Sequence, residues 1–237
     1  MKKIAKSFLV LFFYQKFSLS VLLICLVLSF AACGSDSDSD EDDGWVAEYA
    51  IGDTGPAGGI IFYVTPAGFK VIGYGNPSDT GYFAEYTAHY LEAASANEGS
   101  SIEWGDSGTL IAVVTTFSST SDSKASSIGN GRSDTQIIAN HLNTNTSETG
   151  RAAQVCANKT VTVGGTVFND WFLPSLGELN EMYKAKGETG IPTTGYYWSS
   201  SENDVNTFAW MQNFVNGNQL GGSKYATTYL VRAVRAF

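Results

Sequence analysis

Asp170-Trp171-Phe172-Leu173-Pro174-Ser175-Leu176-Gly177-Glu178-Leu179 is the stretch whose reading decides the fold. Ser175 and Glu178 stand three apart, the spacing at which two side chains cap a helix start reciprocally. Pro174 rigidifies the backbone just ahead of them. Leu176, Leu179 and the pair Met182/Tyr183 recur at helical spacing, so a helix with one apolar side runs on from Ser175. Trp171, Leu173 and Leu176 bring large apolar area, worth about 1.5–3 kcal/mol per buried aliphatic side chain. The segment therefore reads as core.

Toward the C-terminus the pattern changes to an antiparallel meander. Tyr196–Ser200, Phe208–Val215 and Tyr229–Phe237 read as strands, with Asn216-Gly217-Asn218 as a turn. Trp198 and Trp210, on neighbouring strands, are placed for a cross-strand aromatic pair. Toward the N-terminus two more helices are expected. One follows Ser133-Asp134-Thr135-Gln136, which has capping-box spacing, with Ile137, Ile138, His141 and Leu142 on its apolar side. The other spans Glu148 to Ala157.

Earlier still, Ile60–Val64 reads as a strand that leaves the Gly55-Pro56-Ala57-Gly58-Gly59 turn region and stops at Pro66. Phe69–Tyr74 and Tyr90–Ala94 are further short strands, and Ser95–Asn130 is mostly loop with an apolar piece at Leu110–Thr116. Gly52 to Gly58 holds two Gly-X-Y triplets before Gly59 breaks the period, so it is a turn and not a collagen stalk. Helices grouped mid-chain between strands at both ends give an α+β fold whose terminal strands can pair.

The chain begins with Lys2, Lys3, Lys6 and Lys16, followed by an apolar run from Phe17 to Ala32. That run is shorter than the about 20 residues a membrane span needs. Extending it back to Phe8 would place Gln15 and Lys16 inside, and a central Lys costs about 2.5–3.5 kcal/mol. A basic start, a short apolar stretch and small residues before a cysteine fit an export signal. Phe30-Ala31-Ala32-Cys33 resembles a bacterial lipobox, which assigns Cys33 as the lipidated N-terminal residue of the mature chain. A two-chain anchor then holds the protein at the membrane.

Residues 1–32 are thus read as a signal peptide and residues 33–44 as a lipidated cysteine with an acidic Ser/Asp tether. Residues 45–237 are read as one domain. The tether self-repels and stays extended. It has no turn-fixing glycine frame of the kind a calcium loop uses.

From Gly44 onward 10 Lys+Arg stand against 17 Asp+Glu, a net charge of about −7. An acidic domain argues against nucleic acid as a partner. Cys25 leaves with the signal and Cys33 takes lipid, so Cys156 is the one free thiol and the core must supply the stability.

Three segments together resemble the C-terminal domain of the Legionella collagen-like adhesin, the Lcl C-terminal domain family. They are Asp170 to Leu179, Tyr197-Trp198-Ser199-Ser200-Ser201 followed by Ala209-Trp210, and Val231-Arg232-Ala233-Val234-Arg235. The resemblance covers Trp171 to Phe237 well and the earlier part weakly. It implies a C-type-lectin-like mixed fold, grouped with the formylglycine-generating enzymes, with short antiparallel strands, two or three helices and long loops. It further implies binding of host glycosaminoglycans and trimerisation. The absent collagen stalk and the acidic domain depart from that pattern.

Few residues carry chemistry. Formylglycine generation needs paired cysteines, whereas Cys156 is single and sits among alanines as a buried structural thiol. No Gly-x-Ser-x-Gly elbow is present. His89 and His141 read as scaffold residues, with no second ligand at metal spacing. Glu178 is explained by its cap, and Arg232 and Arg235 are expected to pair with carboxylates such as Glu178 or Glu202.

What remains is a polar loop cluster, Glu202-Asn203-Asp204 with Asn206, near the turn that holds Asn216 and Asn218. Its oxygens suit calcium or sugar hydroxyls, with Trp210 or Tyr197 as a stacking platform. The plainer reading of the same residues is a solvated hairpin loop. The sequence thus points to an exported lipoprotein, anchored in the cell envelope at the outer membrane or cell surface, whose lectin-like domain binds glycan or host matrix and is not an enzyme. A structural envelope lipoprotein and a formylglycine-generating-type enzyme are the alternatives.

Overall fold

Ser175 does cap a helix. In the computed structural model, which describes residues 46–237, its hydroxyl accepts from the Glu178 N–H at 3.2 Å and Glu178 answers from the Ser175 N–H at 2.7 Å. The expectations for residues 1–45, Cys33 and the tether among them, lie outside the described residues.

The chain folds as α+β. In order it forms β1 (Ile60–Val71), β2 (Tyr86–Ala93), β3 (Gly99–Ser100), β4 (Thr116–Phe117), α1 (Gly131–His141), α2 (Ala152–Ala157), β5 (Val161–Val163) and β6 (Thr166–Phe168). There follow α3 (Leu176–Lys184), β7 (Tyr196–Asn203), β8 (Phe208–Asn213), β9 (Gln219–Ser223), β10 (Leu230–Val231) and β11 (Val234–Ala236). One sheet has the order β1-β2-β11, and a second runs β3-β10-β7-β8-β9 with β4 also on β7. The pair β5–β6 stands as a third. Most pairings are antiparallel; β10 and β4 meet β7 in parallel. Among the described residues no helix is long and apolar enough to cross a membrane.

The opening segment serves all of the buried clusters because extended chain points successive side chains to opposite sides. Trp171 and Leu173 enter one cluster with Trp104, Ile138 and Trp198. Phe172 faces the other way, into a cluster with Phe62, Leu91 and Phe214. Leu176 joins a small third group with Phe117 and Trp210. Phe172 also exchanges two backbone hydrogen bonds with Val234, at 2.8 and 2.9 Å, which stitches the segment to β11.

The expected pairing of the chain's two end regions is present: β11 runs antiparallel to β2, placing Arg235 opposite Glu92. Arg235 is bidentate to Asp170 at 2.9 Å on both bonds and reaches Glu92 at 3.1 Å. Arg232 donates to the Ala94 carbonyl and to Asn97. Neither arginine meets Glu178 or Glu202, so those expected partners are corrected. Glu92 in turn accepts from the N–H groups of Ala57 and Gly59. Gly59 lies so close to this strand that a Cβ would collide with the Ala93 carbonyl.

Other expectations also change. Pro66 does not end the first strand: β1 continues to Val71, absorbing Thr65–Gly68 as an excursion between the pairs Val64–Tyr90 and Phe69–Ala88. Ser133 lies inside α1 and bonds the Gly73 carbonyl, while Asn130 holds the N-terminal position. The second helix starts at Ala152, not Glu148. Strand β9 was not expected, its Gly-Gly sequence carrying little apolar alternation. Trp198 sits opposite Met211, so Trp198 and Trp210 lie on different faces of the sheet and form no pair. Trp198 meets Tyr229 edge-on at 4.6 Å, and Trp210 stacks on Phe117 at 5.2 Å.

Candidate functional site

The polar cluster expected at Glu202 is taken apart by burial. Glu202 is the seventh residue of β7 and fully buried, because the strand extends three residues past Ser200. Its carboxylate meets the equally buried Lys224 ammonium at 2.5 Å and accepts from the Ile111 N–H at 3.1 Å. Lys224 donates in addition to the carbonyls of Thr109 (2.7 Å) and Asp106 (3.3 Å), so its three protons are all used. Burial pushes the Glu202 carboxyl above the usual range, against the opposing pull of Lys224. This is a closed structural network.

The remaining expected residues separate. Asn203 is buried and accepts from the Val205 N–H. Asp204 and Asn206 are exposed in the β7–β8 turn, where Asn206 donates to the Gly108 carbonyl. Asn216 and Asn218 are exposed in the β8–β9 turn, where Asn216 accepts from the Asn218 N–H. These turns cap opposite ends of the six-residue β8, roughly 20 Å apart at strand rise. Tyr197 and Trp210 are only 2% and 6% exposed, which leaves neither a face for a sugar ring. Among the described residues no group of three or more His, Cys, Asp or Glu side chains is placed to hold a metal ion.

A different surface carries open polar groups. Arg132, Gln136, Asn140 and Asn143 follow one another at spacings of four, four and three along α1 and the turn after it, which puts them on one side. Asn143 belongs to a π-helical turn, Leu142–Thr146, that continues α1. The opposite side of α1 is held by the opening segment. Thr135 exchanges hydrogen bonds with the Leu173 backbone at 2.9 and 3.1 Å. Glu178, fully buried, accepts from the Gly129 N–H at 2.7 Å just ahead of the helix. Gly131 follows so closely that a Cβ there would collide with the Glu178 carboxylate. Burial pushes Glu178 up despite these donors.

With its back fixed, α1 presents those four residues to a cleft of about 360 Å³. Asn158, at the end of α2, and Asn169 form part of its wall, and Thr80–Tyr82 form a rim. The rim loop is closed by a Tyr74–Phe83 bridge. Gly81 has φ +81° and lies against Gln136, where a Cβ would collide with Oε1. Only a residue at ease in the left-handed region without a side chain lets the rim come this close. Asn143 Oδ1 accepts from Gln154 at 2.6 Å, leaving its Nδ2 as donor. Tyr82 is 38% exposed.

Among the described residues no carboxylate lines this cleft, and the charged side chain in its wall is Arg132. The Arg132 guanidinium lies 4.0 Å over the Phe83 ring, and Nη1 donates to the Tyr86 hydroxyl at 3.2 Å. Burial raises Tyr86, and Arg132 partly offsets it. Behind α1, Asp134 accepts from the Thr115 N–H at 3.1 Å through Oδ1 while Oδ2 has no partner. Burial pushes its carboxyl up to about 7, with Glu178 and Glu202 adding to the rise and Thr115 opposing it.

A second, larger hollow of about 490 Å³ lies between β1 and α3. Its cations are already engaged: Lys184 pairs with Glu181 at 2.7 Å, and Lys186 donates to the Tyr183 hydroxyl and the Val215 carbonyl. Cys156 is completely buried and burial pushes its thiol well up, so it offers no accessible thiolate. His141 is tied to Asp106 at 2.5 Å. The amide cleft is therefore the candidate site. Its stripe along α1 was visible in the sequence, had polar periodicity been read as closely as apolar.

No protein-family model and no curated protein matches the chain. Among solved structures it is similar to a fimbrial protein from Bacteroides ovatus, with 16% identity and a TM-score of 0.43. That superposition covers 76% of this chain and spans 44% of the other, too loose to define a shared fold.

Proposed function

We propose that this chain is an exported, lipid-anchored envelope protein whose domain is a non-catalytic carbohydrate-binding module of the Lcl C-terminal type. The observation that carries this reading is the cleft on α1. Gln136, Asn140, Asn143, Asn158 and Asn169 converge there with no carboxylate among them. Side-chain amides donate and accept from fixed positions, which matches the paired donor and acceptor character of sugar hydroxyls. Tyr82 at the rim supplies an exposed aromatic face of the kind on which a sugar ring packs. Binding of this sort uses no calcium, since its contacts are neutral amides and a guanidinium.

The anchor rests on Cys33 and its preceding residues, and the envelope location follows from it. A glycan array probed with the purified full chain, with and without a calcium chelator, tests the reading. Binding to a restricted set of glycans, unchanged by chelation and lost in Asn140→Ala, is the expected result. Silence across the array overturns it.

A further inference from the structure

Arg132 is out of place in an acidic domain unless something anionic comes to it. Two other arginines are neutralised by carboxylates: the partly buried Arg151 pairs with Glu103 and Glu148, and the buried Arg235 with Glu92 and Asp170. Arg232 makes no ion pair among the described residues, but it is buried and donates to the Ala94 carbonyl and Asn97. Arg132 is half-buried at the cleft and, among the described residues, has no carboxylate within 4.0 Å. Among the described residues its hydrogen bond to Tyr86 uses one N–H. A guanidinium carries five. Phe83 beneath it fixes the plane of the group, which limits the freedom lost when a planar anion docks.

We propose that Arg132 reads a single carboxylate, so that the cleft takes a terminal acidic sugar of the uronic or sialic class in preference to neutral sugars. This deepens the carbohydrate reading and rests on it. The amides engage hydroxyls, and the guanidinium makes a charge-assisted, bidentate contact to the acid. One cation answers one anion. A sulfated polymer carrying charge on every residue meets the remaining surface of a domain with 17 acidic and 10 basic residues, which repels it.

Titration calorimetry on the purified full chain tests this with the methyl glycosides of glucuronic acid and N-acetylneuraminic acid, methyl glucoside as neutral isostere, and heparin. One or both acids binding at least about ten-fold more tightly than glucoside, with heparin weaker than the preferred acid, is expected from a charged hydrogen-bond pair. Arg132→Gln should abolish the preference, so that the acids lose at least about ten-fold in affinity relative to methyl glucoside. Asn140→Asp, which sets a carboxylate inside the cleft, should lower affinity for the acids more than for methyl glucoside, and provides the same test if the arginine variant fails to fold. Equal affinity for acids and glucoside, tighter binding of heparin, or a preference untouched by either variant overturns the proposal with carbohydrate binding intact. No binding by any sugar overturns the parent reading as well.

Discussion

Two polar clusters of this domain use similar side chains to opposite ends. At the end of β7, Glu202 and Lys224 turn on each other in full burial, and every ammonium proton has an acceptor. Along α1, Arg132 and a row of amides face open space, and beyond the Arg132–Tyr86 bond the guanidinium keeps further donors. The first arrangement holds the molecule together and has no capacity left for a ligand. The second contributes little to stability and keeps its hydrogen-bonding capacity for something else. Polarity marks a site only where it is unspent.

The sharpest way to break that comparison is to open the buried pair. Lys224→Met leaves an unpaired carboxylate in the interior and should cost about 3–5 kcal/mol, read by denaturant unfolding. The double variant Glu202→Gln/Lys224→Met should recover much of the loss. A cost below about 1 kcal/mol would mean the pair is wet, and the contrast would collapse.

A smaller effect is expected from Asp134, behind the helix that bears the cleft. Its folded-state pKa, raised from 3.8 to about 7, means that the folded protein holds a proton the unfolded chain has released. Its contribution is therefore fully present below about pH 4 and is lost as pH rises through about 7. Asp134→Asn keeps the acceptor for Thr115 and should flatten this slope, raising stability at pH 8 by on the order of a few kcal/mol. Unfolding measured across pH 4–8 checks it; parallel curves for the two proteins would refute it.

How far the sequence reached can be seen from particular residues. The Ser175–Glu178 cap was legible because it is local, three residues apart, and the same holds for α3, β7 and β8. The partners of Arg235 were not, since Glu92 and Asp170 lie 143 and 65 residues away, and only the β2–β11 pairing and the Phe172–Val234 bridge bring them in. Glu202 was misread for a related reason. The polar run at the end of β7 carries no apolar marker of burial, yet β4 and the loop at Ile111 cover it. One wall of the cleft was legible as a helical stripe, whereas Tyr82, Asn158 and Asn169 come from remote segments.

Smaller still is the cap itself. Ser175→Ala removes one of the paired hydrogen bonds at the start of α3 and should cost about 1 kcal/mol in unfolding experiments. Smallest of all should be the stability cost of changing the open side chains. Asn140→Ala and Asp204→Ala, both exposed, should each lie within about 0.5 kcal/mol of the parent chain. Their equality in stability is what makes them useful, because only one of them is expected to matter for binding.

The central claim is that the ligand surface is the cleft on α1 and not the β7–β8 turn. It is tested most directly by measuring affinity for one array-positive glycan in the full chain and two paired variants, Asn140→Ala/Asn143→Ala and Asp204→Ala/Asn206→Ala. The account predicts a loss of ten-fold or more, on the order of one charged or bidentate contact, in the first and no change in the second. The reverse pattern would contradict it.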